Sequence, residues 1–197
     1  MPKSSVILFI YMRKGGFCNK FFFSAHKFGG PAGVGGLYRK AGTATEPLYR
    51  GGMQEKGSRP GTESVLLACG MAAALTAAVE EMAETEAYLT SLEEELLHGL
   101  TALGGIPTGE GNRVPGHIHI RFPHRDGEAL VSALDLHGVC LSAGAACHSR
   151  SHTPSETLLA MGFAKEEASS ALRITLGREN THEEVHTFLA LLEDCLK

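Results

Sequence analysis

A chain of 197 residues with 43% hydrophobic and 20% charged residues has the composition of a soluble globular protein, about one large domain or slightly more. Its formal net charge of -4 gives no basic surface, which argues against nucleic acid as a partner. Five cysteines without a C-x-x-C pair argue against a disulfide framework or a zinc ribbon, so we expect a reducing, cytoplasmic location and no metal site.

Residues 1–23 differ from the rest of the chain. Lys3 precedes an apolar run, Val6 to Met12, that is too short to span a bilayer and is not followed by a convincing cleavage site. We expect no membrane segment and interpret the run as a buried strand or as irregular sequence; a signal peptide is the less favoured alternative. The run Phe21 to Phe23 is expected to end a buried strand.

The next part of the chain predicts a strand and a long helix. A short apolar segment, Val34 to Tyr38, fits the strand, and Val65 to Leu100 has the apolar period of the helix. The glutamates of this helix fall off its apolar stripe, so we expect them on a solvated face. Gly104 and its neighbours end the helix. The stripe comprises Leu75, Val79, Met82, Leu89, Leu92, Leu96 and Leu100.

The C-terminal half alternates strands and helices, which indicates an α/β chain. Its predicted strands are His117 to Phe122 and Leu172 to Leu176, the first with alternate residues buried. Asp126 caps a predicted helix that reaches His137 and stops at Gly138.

Two further helices carry capping signals. Thr153 to Glu156 fits a capping box with proline at the first helical position, and Gly162 closes that short helix. Thr181 to Glu184 is a second capping box. It opens a helix whose apolar face is Val185, Phe188, Leu189 and Leu192.

The segment 24–31, S-A-H-K-F-G-G-P, places Lys27 where an apolar strand breaks into a glycine loop. A lysine held there could be partly desolvated, which favours the neutral amine that forms Schiff bases. Ser24 and His26 could donate hydrogen bonds to a phosphate, and the glycines let backbone N–H groups approach closely. Taken alone, such a motif is more often a surface turn, so both interpretations stay open.

The segment 59–63, R-P-G-T-E, directly precedes the predicted long helix. Thr62 fits there as the residue that caps the helix. Alternatively, its hydroxyl and the helix N-terminus form an anion site. The sequence favours neither interpretation.

Cys147 lies in the segment 141–149, L-S-A-G-A-A-C-H-S. Small neighbours leave the thiol uncovered, and His148 could promote the thiolate, which is the nucleophilic form. The alternative is a small buried hydrophobic residue, as most free cysteines are. The remaining cysteines fit that alternative better: Cys18, Cys69, Cys140 and Cys195.

Two histidine pairs and one arginine complete the candidate residues. His182 and His186 share a helix face, and His117 and His119 share a strand face, but neither pair has a third ligand at metal-binding spacing. We therefore expect both pairs to be exposed to solvent. Arg173 interrupts an apolar strand and needs a carboxylate partner, held by a bidentate guanidinium.

Four motifs follow one another in this chain: S-A-H-K-F-x-G-P, G-G-x-Q-E-x-x-x-R-P-G-T-E, A-G-A-A-C-H-S and L-R-I-T-L-G-R. In this order they resemble the cysteine desulfurase and selenocysteine lyase family of pyridoxal 5'-phosphate enzymes. The resemblance runs from about Phe22 to the C-terminus. The motifs A-C-H-S and R-P-G-T-E are slightly closer to the selenocysteine lyases than to the desulfurases, which tend to have R-S-G-T.

The resemblance implies how the cofactor is held. Lys27 would carry pyridoxal 5'-phosphate, and Ser24 and His26 would bind its phosphate. Thr62 would reach the phosphate bound by the other subunit of a homodimer. The cofactor would then act as the electron sink of the reaction.

The resemblance also implies how the substrate is used. Arg173 would bind the carboxylate of cysteine or selenocysteine, and Cys147 would receive the sulfur or selenium, leaving alanine. An acceptor protein for the sulfur or selenium would be a further partner.

Members of this family carry roughly another half-chain ahead of the lysine motif, which supplies most of the large domain. The predicted fold is therefore α/β, the C-terminal part of a fold-type I pyridoxal-phosphate transferase. We expect an unmatched segment at 1–23, a remnant of the large domain with its connecting helix at 24–105, and a small α/β domain with the cysteine loop at 106–197.

Two functions from different classes stay open. The first is a lyase that removes selenium or sulfur from L-selenocysteine or L-cysteine, either in a longer parent or assembled with a missing half. The second is a catalytically inactive fragment that serves as a dimerisation or partner-binding domain. A simple thiol carrier that uses Cys147 is a weaker third.

Overall fold

The computed structural model describes residues 19–109, 111, 113–143 and 154–197. These residues form two compact units, 19–82 and 83–197. The described residues mix short strands with helices, so the expected α/β class is confirmed. The division into units does not test the family-based boundaries at 24–105 and 106–197, which stay predictions.

The unit 19–82 begins with an antiparallel hairpin. Strand β1 (Lys20–Ser24) pairs with strand β2 (Gly35–Arg39), which confirms the strand predicted at 34–38. The ring of Phe21 stacks on that of Tyr38, with 5.0 Å between the ring centroids. The prediction of a buried strand at 21–23 is wrong for Phe22, which is 86% exposed, because alternate side chains point to opposite faces of the ribbon.

The segment predicted as one long helix forms two. Helix α1 (Val65–Glu80) ends at Glu81, and helix α2 (Met82–Ala102) follows. The predicted apolar stripe is buried only in α2, since none of the described side chains of α1 is buried. The buried residues are Leu89, Leu92, Leu96 and Leu100. No single helix in the described ranges is long and apolar enough to span a membrane; α1 and α2 meet that test only as a bent pair.

The unit 83–197 is built on a three-stranded antiparallel sheet. Its strands are β3 (Ile106–Pro107), β4 (His117–Arg121) and β5 (Ala171–Thr175), in the order β3-β4-β5. Both predicted strands of this unit are thus confirmed. Side chains on one face form the core, where each fully buried aliphatic side chain contributes roughly 1.5–3 kcal/mol. On this face lie Ile118, Ile120, Leu172 and Ile174.

Helix α3 (Gly127–Asp135) begins as its sequence predicts. The Asp126 carboxylate accepts hydrogen bonds from the N–H groups of Glu128 at 2.9 Å and Ala129 at 3.4 Å. These bonds satisfy N–H groups that have no partner inside the helix. The helix ends two residues before His137, and Gly138 takes the left-handed backbone, with φ +80°.

The capping box predicted at 153–156 is wrong in its register. Helix α4 (Glu156–Ala160) is capped by Ser155, whose Oγ accepts from the N–H of Leu158 at 3.5 Å. Pro154 therefore precedes the helix, and Thr153 lies outside the described residues. Gly162, with φ +92°, closes this turn as predicted. The five-residue helix α5 (Lys165–Ser169) was not predicted, because it is too short to show a period.

The second capping box is confirmed. It opens α6 (His182–Leu196), where the Thr181 hydroxyl accepts from the Glu184 N–H at 3.2 Å. In return the Glu184 carboxylate accepts from the Thr181 N–H at 3.0 Å. Three of the four predicted apolar residues of this helix are buried: Val185, Phe188 and Leu192.

Candidate functional site

The lysine motif folds as a 3-10 turn between β1 and β2. The turn spans Ala25–Phe28, and its two apolar ends are buried. The N–H of Ala25 donates to the carbonyl of Val34 at 3.0 Å, which fixes the turn to the start of the returning strand. His26 and Lys27 are exposed. The expected partial desolvation of Lys27 is therefore wrong for this chain, since the unit leaves that side chain in solvent.

Two glycines shape the loop after the lysine. Gly29 has φ +84°, a left-handed backbone that glycine adopts without strain. Gly30 allows close packing, because a Cβ there would meet the Cβ of Ala25 at 2.9 Å and its carbonyl oxygen at 3.0 Å. The half-buried Ser24 precedes the turn but makes no side-chain capping bond. Within the described ranges, the Ser24 hydroxyl and the Lys27 amine have no hydrogen-bond partner, so both groups are available to a ligand.

The lysine loop is seated on helix α1 of the same unit. The 3-10 turn packs against α1, and a Cβ on Gly70 would meet Cγ of Pro31 at 3.1 Å. Thr62 lies in the turn before α1 and is exposed. The predicted capping role of Thr62 is wrong, because Ser64 occupies the N-cap position. The alternative anion-binding role of Thr62 stays a prediction.

Arg173 lies on β5, between β4 and the segment that leads to Cys147. Its backbone N–H donates to the carbonyl of Ser142 at 2.6 Å, and its Nη2 donates to the Ser142 hydroxyl at 3.4 Å. On its other side, Arg173 pairs with His119 of β4. The carboxylate partner expected for this half-buried guanidinium is not present among the residues that the structure describes.

The face of the sheet opposite the core is rich in nitrogen-bearing side chains. They are His117, His119, Arg121 and Arg173. Burial lowers the pKa of His119 below its usual 6.5, and the positive charges of His117, Arg173 and Arg121 lower it further. Burial and then Arg173 also lower the pKa of His117, against the opposing effect of Glu93. The pKa values of both imidazoles therefore lie below 6.5, so the neutral form of each ring predominates at pH 7.

The sequence predicts that His117 and His119 are both exposed to solvent. His117 is exposed, but His119 is half-buried, so the prediction is wrong for His119. The place of His119 beside Arg173 depends on the register of β4 on β5, which sequence alternation alone does not give. The contact of Arg173 with Ser142 was missed for the same reason.

The other histidine pair joins two helices. His182 Nδ1 and His186 Nε2 of α6 both contact the Glu95 carboxylate of α2. The hydrogen bond to His182, followed by the bond to His186, lowers the pKa of Glu95 below its usual value. Both histidines are exposed as expected, but Glu95 is not merely a solvated residue. Across the described ranges, no group of three or more side chains is arranged to hold a metal ion.

The expected acceptor, Cys147, lies outside the described residues, as does Cys18. Three other cysteines are free thiols: Cys69, Cys140 and Cys195. Cys69 and Cys140 are exposed, so their prediction as buried hydrophobic residues is wrong. The reason for Cys69 is its place on α1, whose described side chains are not buried.

The model of the class-V aminotransferase family matches residues 10–188. The chain belongs to this family. It is a family of pyridoxal-phosphate-dependent enzymes, as the sequence motifs implied. A cysteine desulfurase IscS of Clostridium botulinum is 38% identical over 180 residues, covering 88% of this chain and 45% of the relative. A cysteine desulfurase IscS of Dictyoglomus turgidum is 39% identical over 176 residues, covering 86% and 44%.

Solved structures agree with the sequence relatives. A NifS-like protein superposes with a TM-score of 0.80 at 36% identity, covering 90% of this chain and 46% of that structure. A NifS-like protein from Rickettsia africae has the same TM-score at 29% identity, covering 89% and 47%. The expected fold, the C-terminal part of a fold-type I enzyme, is confirmed. This chain thus spans slightly less than half the length of the relatives it matches.

The described residues suit one end of pyridoxal phosphate. Lys27 offers an exposed amine for its aldehyde, and the unpartnered Ser24 hydroxyl lies three residues away for its phosphate. Both residues lie at the turn whose shape depends on Gly29 and Gly30 and which the hydrogen bond from Ala25 to Val34 fixes in place. Lys27 belongs to the unit 19–82 and Arg173 to the unit 83–197.

Proposed function

We propose that this chain is the part of a pyridoxal-phosphate lyase that supplies the cofactor lysine and the acceptor cysteine. The enzyme would remove sulfur from L-cysteine, or selenium from L-selenocysteine, to give alanine. The single observation that carries this proposal is the exposed Lys27 on a turn that is held by a hydrogen bond to Val34 and by packing against α1. The relatives support cysteine as a substrate, because those named above are cysteine desulfurases.

The cofactor-binding roles follow from the lysine loop. Lys27 would hold the cofactor and, when free, move the α-proton of the substrate. Ser24 and His26 would bind the phosphate, and Thr62 would contribute to the phosphate site of the second subunit in a homodimer. When bound, pyridoxal phosphate supplies an electron sink for the carbon that loses its proton.

The substrate-handling roles fall on the other unit. Arg173 would bind the substrate carboxylate. This carboxylate would form the ion pair with the guanidinium for which the described residues offer no partner. The Cys147 thiolate would attack the substrate sulfur, so that an S–S bond forms as the C–S bond breaks. The bonding electrons and a proton remain with the carbon product, alanine. The terminal sulfur of the resulting persulfide would pass to an acceptor protein, which leaves the Cys147 thiol.

A second candidate function is a dimerisation or partner-binding domain without activity of its own. Helix α1 favours it, since this apolar helix buries none of its described side chains. A helix that is apolar on all sides is normally covered by protein. The occupant would be the other half of a class-V fold, because the chain spans about 45% of its relatives.

The decisive experiment joins the first half of the C. botulinum relative to residues 19–197 of this chain. If the proposal is correct, borohydride reduction of the cofactor-loaded chimera followed by peptide mapping places the pyridoxyl group on Lys27. The chimera should then release alanine from cysteine, and a Lys27→Ala variant should not. Labelling of Lys40, which lies in the same unit, would contradict the assignment. A labelled but inactive chimera would favour the second candidate.

A further inference from the structure

His119 and Arg173 stand opposite each other on neighbouring strands. Residues paired in this way point to the same face of an antiparallel sheet, with their Cβ atoms about 4.5–5.5 Å apart. The intervening residues, Ile118 and Ile174, form the other face and are buried in the core. His119 and Arg173 therefore present their side chains together on the opposite face of the sheet.

The charges on this face are compensated at its two ends but not in its middle. At one end, Arg121 Nη1 donates to Glu167 at 2.5 Å. At the other end, the carboxylate of Glu93 on α2 acts on His117. His119 and Arg173, between these ends, have no carboxylate partner in the part of the chain that the structure describes.

His119 also has an unsatisfied polar atom. Its Nδ1 is buried and finds no hydrogen-bond partner among the described residues. Buried polar atoms of this kind normally have a partner, because a buried atom without a hydrogen bond has lost its contacts with water and gained nothing in return. A ligand that accepts hydrogen bonds would satisfy this nitrogen and the neighbouring guanidinium at once.

We propose that His119 is a second contact for the substrate carboxylate, acting beside Arg173. The proposal rests on the proposed function, in which Arg173 binds that carboxylate. A planar carboxylate has two oxygens, so it can accept from the guanidinium and from the imidazole together. The pair would thus favour substrates with a free α-carboxylate.

Binding of a carboxylate has a consequence for the protonation of His119. In the free chain, burial and the charges of His117, Arg173 and Arg121 lower the pKa of His119. An added negative charge beside the ring favours the imidazolium, so the pKa of His119 should rise when the ligand binds. Among the described residues, the Glu93 carboxylate acts on His117 and the Glu167 carboxylate accepts from Arg121, on either side of His119 along β4.

The test follows His119 and Arg173 by nuclear magnetic resonance in the full chain. L-alanine, which has the carboxylate of the substrate but no reactive sulfur, is titrated against L-alaninamide, which lacks the carboxylate. We expect L-alanine to shift the Arg173 Nε–H and the His119 ring signals together and to raise the pKa of His119. L-alaninamide should shift neither. The signals of His117, two residues along the same strand, should move less.

Variants separate binding from packing. His119→Leu should weaken L-alanine binding about tenfold, the loss expected for one hydrogen bond to a charged group. His119→Asn keeps a donor and should restore affinity to within about threefold of the parent. His117→Leu is the matched control and should leave the affinity unchanged.

Three results would contradict the proposal, and they differ in what they imply for the role of Arg173. Shifts at Arg173 without any response of His119 would refute the role of His119 and leave the proposed role of Arg173 intact. No response at either residue, at any concentration of L-alanine up to its solubility limit, would remove both roles. Equal affinity of His119→Leu and the parent would also count against the proposal.

Discussion

The Glu93 carboxylate accepts a hydrogen bond of 2.8 Å from the backbone N–H of Gly116, which fastens the middle of α2 to the turn before β4. The carbonyl of Gly116 accepts in turn from the N–H of Leu176 at 2.7 Å. Gly116 has φ +76°, and a Cβ there would meet the Leu176 carbonyl oxygen at 3.2 Å. A single residue thus connects a helix, a turn and the end of β5, and Glu93 holds it from the helix side.

Removal of this carboxylate should destabilise the unit 83–197. Glu93→Ala leaves the N–H of the buried Gly116 without its acceptor, so we expect the free energy of unfolding to fall by about 1–3 kcal/mol. Glu93→Gln keeps an oxygen acceptor and should lose less than half of that amount. Urea unfolding followed by circular dichroism measures both. Equal losses in the two variants would show that charge, rather than the hydrogen bond, matters here.

The core of the same unit gives a prediction of larger size. Leu96 is fully buried on α2, so Leu96→Ala should reduce the free energy of unfolding by about 2–5 kcal/mol through the lost burial and the cavity. Leu136→Ala is the matched control, because Leu136 is 87% exposed, and it should change stability by less than about 0.5 kcal/mol. Similar unfolding midpoints for the two variants would contradict the described burial.

The sequence predicted elements well where one local signal sufficed. The alternation at 117–122, the cap at Asp126 and the box at Thr181 each depend on nearby residues, and each is confirmed. The prediction of a single helix at 65–100 was wrong. Apolar periodicity does not show which part of a segment will be buried by the rest of the protein.

The cap of α3 can be tested with two variants of Asp126, one of which is isosteric with the native residue. Asp126→Ala removes an acceptor of two backbone N–H groups and should cost about 1 kcal/mol of unfolding free energy. Asp126→Asn retains a side-chain oxygen and should cost only a few tenths of that. Thermal unfolding of the three proteins at neutral pH gives the comparison. An unchanged Tm for Asp126→Ala would mean that the cap contributes nothing measurable.

The contact of Glu95 with His182 and His186 predicts a dependence on pH. Hydrogen bonds to the two histidines lower the pKa of Glu95 in the folded chain below its usual 4.5. The stabilisation is therefore complete above pH 4.5 and is lost as the pH falls through the lowered pKa, because the unfolded chain then binds the proton more readily. Glu95→Gln should remove this part of the acid loss.

The measurement is the Tm of the parent and of Glu95→Gln between about pH 6 and pH 3. The two curves should converge as the pH falls below the usual range of a glutamate. A constant difference in Tm across this range would show that Glu95 does not titrate as its contacts indicate. His182→Gln removes the first of the two contacts of Glu95. The Tm difference between this variant and Glu95→Gln should therefore be smaller than that between the parent and Glu95→Gln, but not zero.

The candidate site was predictable as a set of residues but not as an arrangement. Lys27 and Arg173 could be named from motifs, and both lie where the local pattern indicated, on a turn after a strand and within a strand. The partnership of Arg173 with His119 and Ser142 depends on which residues face each other across strands far apart in the sequence. Sequence spacing does not contain that information.

The last prediction concerns the chain by itself, which should bind pyridoxal phosphate poorly and release no alanine. Lys27 is exposed, and the described residues beside it offer a phosphate the hydroxyl of Ser24 and the exposed ring of His26. A cofactor held there would lack cover for its ring, because the unit 19–82 leaves Lys27 in solvent. The apolar side chains of Val65, Leu66 and Val79 on α1 are exposed as well, which favours association with other protein.

The measurement is a spectrophotometric titration of the purified chain with the cofactor, followed by an alanine-release assay on cysteine and selenocysteine. A Lys27→Ala variant controls for cofactor attached to other lysines. Stoichiometric yellow absorbance that depends on Lys27, accompanied by turnover, would show that residues 1–197 already contain a working site.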